Sequence, residues 1–225
     1  MIIKHPEQAD VPQLTALWMQ AFGDTREFIA KFFRTGFAQE RCLLAKEQGQ
    51  LLAALYWFDC LWEGKKLAYL YAIATDEAHR GKGICKALME RTHGLLKEES
   101  YHGAVLVPAD EGLEKMYANM GYRSILPGDL SYEDLPKPTA LQTVTPEEYL
   151  RLRQAYLPTG GIQHSTPAMA YLATFACFYR FPGGICCGDP ALPMEYLPGY
   201  PGDPAMYLPL TQDQTLPDYF ALSLA

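Results

Sequence analysis

A mixed α/β fold, with a central mixed β-sheet flanked by helices and a smaller C-terminal α/β region, is what three features of the sequence predict. Strand-like apolar runs alternate with segments whose apolar residues recur at helical spacing. Three successive strand-like runs joined by short turns read as an antiparallel meander. A strand–turn–helix segment then leads to a further apolar run, which must lie parallel to the strand before it. The 225 residues are 49% hydrophobic, enough for a sizeable core in one large or two small domains.

Each element has a local reason. Ile2 and Ile3 start a short strand. Asp10 is placed to cap a helix with Pro12 in its first turn, Leu14, Leu17, Trp18 and Phe22 share a face, and Gly23 stops it. A second helix is expected over residues 25–35, burying Phe28, Ile29, Phe32 and Phe33. Residues 42–45, 51–62 and 67–75 form the meander, turning at Glu47-Gln48-Gly49-Gln50 and Glu63-Gly64-Lys65. A helix follows over residues 84–96, then a strand over 104–107, a helix over 111–120 and a strand over 122–125.

The stretch 67–97, LAYLYAIATDEAHRGKGICKALMERTHGLLK, carries most of the functional information. A buried strand, a tight turn and a helix N-terminus make an anion site, because the first N–H groups of a helix lack intrahelical partners and the helix dipole adds positive charge there. Glycine allows close approach and positive φ. Arg80, Gly81, Lys82 and Gly83 occupy the turn, and two cations suit a pyrophosphate better than a single phosphate. The segment has neither a P-loop pattern nor the third glycine of a dinucleotide fingerprint. By itself such a turn is more often ordinary surface. The strand before it, the helix after it and a second motif downstream give it weight.

Arg80-Gly81-Lys82-Gly83-Ile84-Cys85 resembles the acyl-CoA pyrophosphate loop of the GNAT acetyltransferases, Q/R-x-x-G-x-G/A, with Cys85 where Gly or Ala is usual. The stretch from Asp110 to Tyr122 resembles that family's N-x-x-A-x-x-L-Y-x-x-x-G-F/Y segment. Tyr117, Gly121 and Tyr122 match; Asp110 and Leu113 replace Asn and Ala. The resemblance covers about residues 1–125. It implies a GNAT-like fold and acetyl-CoA-dependent transfer to a primary amine of a small molecule or peptide by direct attack, without a covalent intermediate. It also implies that the strands 67–75 and 104–108 splay apart, with the backbone of Ile73, Ala74 and Thr75 pairing the pantetheine arm. Arg80, Gly81, Lys82, Gly83, Ile84, Cys85 and Lys86 are then the pyrophosphate loop, Asp110 and Met116 further cofactor contacts, and Tyr117 the general acid at the CoA sulfur. The first two helices roof the acceptor pocket in such proteins, although their aromatic residues also read as plain core. Asp59, Tyr69, Tyr71 and Glu77 are open candidates for the base, Glu77 being the most solvated. His79 and His93 read as surface residues, and Cys85 has no His or Asp pattern around it that would make it a nucleophile. The departures at Cys85 and Asp110 keep a second reading open, a non-catalytic acyl-CoA-binding sensor or scaffold.

Composition narrows the classes. The formal net charge of −7 argues against nucleic acid as a partner. The six cysteines include no C-x-x-C pair, so no metal site is expected. Without a signal-like N-terminus or an apolar run of membrane-spanning length, a cytoplasmic protein is expected, with no membrane partner, as monomer or homodimer. Residues 1–126 read as the acetyltransferase domain, the proline-rich 127–139 as a linker, and 140–225 as a C-terminal α/β region. In that region Thr145 caps one helix, Ser165 or Thr166 caps another running to about 176, and residues 178–181 and 185–187 form a hairpin. Residues 194–197, 206–208 and 219–224 are further strand candidates. Two helices followed by a meander repeat the order of the first half without its phosphate loop, which suggests a degenerate GNAT-like half; the alternative is an irregular Pro- and Tyr-rich extension. Either way the region is too apolar to be a disordered tail, and it is expected to dock on the first domain and close one side of the acceptor pocket.

Overall fold

The structure is a computed structural model and describes residues 1–128, 135 and 137–224. Residues 129–134 and 136 of the expected linker lie outside the described residues. The chain runs β1 (Ile2–Lys4), α1 (Val11–Phe22), α2 (Arg26–Thr35), β2 (Cys42–Glu47), β3 (Gln50–Trp62), β4 (Lys65–Thr75), α3 (Ile84–Glu98), β5 (Gly103–Leu106), α4 (Glu111–Ala118) and β6 (Arg123–Ile125). It continues through β7 (Gln142–Thr143), α5 (Pro146–Tyr156), β8 (Gln163–His164), α6 (Thr166–Leu172), β9 (Phe178–Phe181), β10 (Gly184–Asp189), β11 (Leu192–Leu197) and β12 (Ala205–Pro209).

Among the described residues, one sheet has the order β1-β2-β3-β4-β5-β12-β6, with β8 extending the β2 side of β3, and a second has the order β11-β10-β9-β7. The sheets are antiparallel except where β4 runs parallel to β5. Strand β3 reads as one long apolar run because both of its faces are covered. Tyr56, Phe58, Cys60 and Trp62 face one core, with α1, α2 and much of the C-terminal region. Leu55 and Trp57 face the other, with α3 and α4.

The capping expectations are met with two differences, at Asp10 and at Ser165, which stands at the N-cap of α6 without a side-chain bond into the helix. Gly23 ends α1 at φ 74°, its N–H bonded to the Met19 carbonyl, and Thr25 caps α2 by accepting from the Phe28 N–H. Asp10 sits at the N-cap of α1 but does not bond into the helix. Its carboxylate, 4% exposed, instead accepts from the Glu7 N–H and pairs with Lys46.

The C-terminal region differs more. Residues 205–209 form β12 within the first sheet, between β5 and β6, and β6 has β12 as its partner. Tyr207 of β12 lies over Gly103, where an added Cβ would come within 2.2 Å of its ring, so β5 needs glycine there. The expected strand at 219–224 is absent. Tyr219 makes one bridge to Gly161, and the segment's polar groups bond instead to Asp203, His164 and Tyr69. Helix α6 ends at Leu172, short of the expected 176, because the backbone tightens there into i→i+3 bonds.

Two buried polar groups were not expected. Arg153 of α5 and Glu195 of β11 form a salt bridge at 2.8 Å with both side chains fully buried. Tyr149 and Tyr219 donate to the same carboxylate at 2.9 and 3.2 Å, and Arg153 also donates to the Ile162 carbonyl. His93, expected on the surface, is buried on the inner face of α3, with Nε2 2.9 Å from the Tyr122 hydroxyl.

Removing one partner of a fully buried pair strands the other charge. Glu195→Gln is therefore expected to lose about 3–5 kcal/mol in urea denaturation, and Arg153→Met combined with Glu195→Leu to lose less than either single change. Burial also pushes His93 down to about 4 and His164 down to about 3. Both are neutral when folded and take up a proton more readily when unfolded. Their contribution is complete above pH 6.5 and declines as pH falls towards 4. The urea midpoint should fall across that window, and His93→Gln should flatten the fall.

Candidate active site

Strands β4 and β5 pair only at Leu67↔Gly103, Ala68↔Ala104 and Tyr69↔Val105. Beyond Tyr69, β4 continues to Thr75 without β5, while its other edge stays paired to β3, with Ala54 opposite Ala74 and Ala53 opposite Thr75. The β3–β4 register shifts between these pairs and Tyr56↔Tyr71. The extra β4 residue there includes Ala72 at φ 47°, a left-handed conformation that costs an alanine about 1 kcal/mol. A bulge bends its strand and re-aims its groups. Here it accompanies the parting of β4 from β5.

A cavity of about 330 Å³ occupies the opening. Leu70, Tyr71, Ala72 and Ile73 form one wall and Leu106 and Val107 the other. Helix α4 contributes Leu113 and Tyr117, and the α1–α2 hairpin contributes Trp18, Phe22, Asp24 and Phe28. Leu224 closes a further side, with its carbonyl accepting from the Tyr71 hydroxyl at 2.9 Å and its N–H donating to Tyr69 at 3.1 Å. The C-terminal region thus reaches the pocket that the sequence places under the first two helices.

Tyr117 is 5% exposed, and burial raises its phenol well above the usual range, so the oxygen keeps its proton. The two candidate phenols of β4, Tyr69 and Tyr71, are also buried and raised, and both are engaged with Leu224. Asp59 lies outside the cavity lining, held by Arg41 at 2.6 Å and by Tyr101, and these partners keep its carboxyl low against the opposing effect of burial. Glu77 is exposed in the turn after β4. Sequence reasoning did not weigh Asp24. It is half-buried in the cavity, accepts from Trp18 Nε1 at 2.8 Å, and has no salt-bridge partner among the described residues. An Asp beside a helix cap reads as solvated, and only the folding of α2 back over α1 encloses it.

The loop after β4 is exposed from Arg80 to Gly83, and Gly81 and Gly83 have φ of 74° and 76°. A Cβ at either would meet nothing within 4 Å, so glycine is required there by conformation and not by crowding from the protein. Gly83 is the residue before α3, and no side chain caps that helix. Arg80 and Lys82 donate back to the carbonyls of Thr75 and Ala78. Ile84 is buried, Lys86 is exposed near Glu90, and His79 lies 2.6 Å from Asp76. Burial raises the Cys85 thiol, which makes it a poor nucleophile. Asp110 caps α4 by accepting from the Leu113 N–H at 2.8 Å, the bond an Asn would make, and Met116 is half-buried against the α3–α4 core. Of the expected cofactor residues only Ile73 lines the cavity. Ala74, Thr75 and the loop continue outward from it along the same strand.

No helix among the described residues is long and apolar enough to cross a membrane. In fold, the chain is similar to Eis1 from Mycobacterium abscessus (16% identity, TM-score 0.63, covering 83% of this chain and 53% of that one). It is likewise similar to a GCN5-related N-acetyltransferase from Anabaena variabilis (21%, 0.58, 87% and 53%). A putative acetyltransferase from Pyrococcus horikoshii matches nearly end to end (12%, 0.64, 98% and 93%). The chain spans about half the length of the first two, and identities this low speak to fold alone. Among curated proteins, none matches the sequence. Residues 3–125, more than half of the chain, match the GNAT acetyltransferase domain family, and the protein belongs to that family.

Proposed function

We propose that the protein is an acetyl-CoA-dependent N-acetyltransferase that acts on a primary amine of a small molecule or peptide by direct attack. The observation that carries this reading is a protonated phenol, Tyr117, and an unpaired carboxylate, Asp24, on the walls of one cavity at the open edge of β4. Acetyl-CoA supplies the activated acetyl group. The residues present suit it: an uncapped helix N-terminus, two left-handed glycines with open space above them, and the basic side chains of Arg80 and Lys82. Ile73, Ala74 and Thr75 offer backbone groups on the edge that β5 leaves free.

The protein's own part is then small. Asp24 draws the acceptor's ammonium into the cavity. The ammonium first releases one proton to solvent, which leaves a neutral, nucleophilic amine. As its nitrogen bonds to the acetyl carbon and the carbon–sulfur bond breaks, the nitrogen gives up a second proton and the departing sulfur takes one. Tyr117 holds a proton on that wall and donates it or a hydrogen bond to the sulfur. Holding both partners in line supplies much of the rest, of the order of 7–11 kcal/mol.

A thiol-release assay with acetyl-CoA over an amine panel tests the reading. Acetyl-CoA binding with no thiol release for any amine favours an acyl-CoA sensor instead. Gly83→Glu, which puts an anion at the helix N-terminus, should abolish acetyl-CoA binding in calorimetry. Gly83→Ala should weaken it far less, since it meets only the conformational cost of about 1 kcal/mol. Equal, unchanged affinity in both variants removes the loop from the cofactor site. Tyr117→Phe should lower kcat by about 100- to 10,000-fold while acetyl-CoA affinity stays near that of the parent. Unchanged turnover across a pH series makes Tyr117 structural.

A further inference from the structure

The acceptor end of the cavity has a composition that selects among amines, and the selection rests on the N-acetyltransferase reading above. Among the described residues that line the cavity, Asp24 is the sole one with a charged side chain. The rings of Trp18, Phe22, Phe28 and Tyr71 line the same cavity. Trp18 is fixed by packing at 4.9 Å from Phe32 and 5.5 Å from Tyr71, and its indole N–H holds Asp24. Outside the cavity the aromatic surface continues: Phe22 is 47% exposed, and Phe28 packs at 5.5 Å on Phe175, itself 39% exposed.

We infer that the acceptor is a monoamine whose single ammonium is carried on an aromatic body, an arylalkylamine in chemical class. An ammonium paired with Asp24 places its carbon chain against the indole and phenyl faces. There it gains cation–π attraction at one end and apolar burial along the rest. A polyamine or an aminosugar fits this wall poorly. Its further ammonium or hydroxyl groups would lose water against aromatic rings, with no second side-chain carboxylate among the described lining residues to receive them. A short alkylamine fits the carboxylate but leaves the rings uncovered.

The test compares phenethylamine, ethylamine, spermidine and kanamycin as acceptors of the full chain with acetyl-CoA. Phenethylamine should exceed ethylamine in kcat/KM by roughly 10- to 100-fold, the transfer free energy of one aromatic ring. Spermidine and kanamycin should fall below phenethylamine. Phe28→Ala should narrow the phenethylamine-to-ethylamine ratio, and Asp24→Asn should raise KM for both monoamines more than it lowers kcat. A protein that prefers spermidine or kanamycin, or that treats ethylamine and phenethylamine alike, overturns the inference and leaves the enzyme reading standing. Calorimetry with phenethylamine in the presence of CoA separates the opposite failure. Binding without thiol release from acetyl-CoA keeps the ligand class and removes the enzyme, whereas absence of both binding and release overturns the ligand class.

Discussion

The early parting of β4 from β5 is the constraint on which the rest of the site depends. A buried strand edge without a ladder partner is costly unless its backbone groups are met by something else. Here β5 leaves after Tyr69, and β4 goes on to Thr75 with one edge paired to β3 and the other facing a cavity. The bulge at Ala72 holds this geometry at the cost of a left-handed alanine. Connectivity then brings the other parts to the same place. The glycine loop and α3 follow directly from the end of β4. Helix α4 follows β5, so Tyr117 hangs over the opening from the far side.

The C-terminal region is built into this arrangement and is not merely appended to it. Strand β12 supplies the partner through which β6 joins the sheet. The final segment ends between Tyr69 and Tyr71, tethered by Tyr219 on Glu195, by His164 on the Ala221 carbonyl, and by Asp203 on the Ser223 N–H. Burial lifts the Asp203 carboxyl while its hydrogen bonds oppose that rise. The salt bridge between Arg153 and Glu195 sits behind these tethers, joining α5 to β11. A buried ion pair adds little net stability over an apolar pair, but its directional bonds fix one arrangement of the elements it links. What it fixes here is the position of a cavity wall.

Much of the first half was legible because its signals are local. Helical spacing in α1 and α2, tight turns around β3, and Gly81 and Gly83 before an apolar helix all act within a few residues. Tyr117 is singled out by its place in a motif, and it is a buried residue on the cavity wall. What was missed depends on contacts distant in sequence. Residues 206–208 read as a strand, but nothing near them says that their partners are Val105 and Arg123. His93 reads as a surface residue, and nothing local marks Arg153 or Glu195 as buried; each is buried where a tyrosine hydroxyl or an opposite charge meets it. Asp24 carries no motif that marks it, and it belongs to the cavity only once α2 has folded back over α1.

The two departures from the family's motifs bear on whether such a protein is a catalyst or only a binder. Asp110 makes the same capping bond that an Asn would, so α4 begins where the motif has it begin and Tyr117 keeps its place on the cavity wall. Cys85 lies past the loop's two left-handed glycines and points a neutral thiol into the region of α3 and α4, leaving the helix N-terminus free of any capping side chain. Neither change disturbs the feature that a sensor has no use for. A binder alone would use the helix N-terminus, the open strand edge and Asp24, which leaves the buried phenol of Tyr117 as the group with no part in binding.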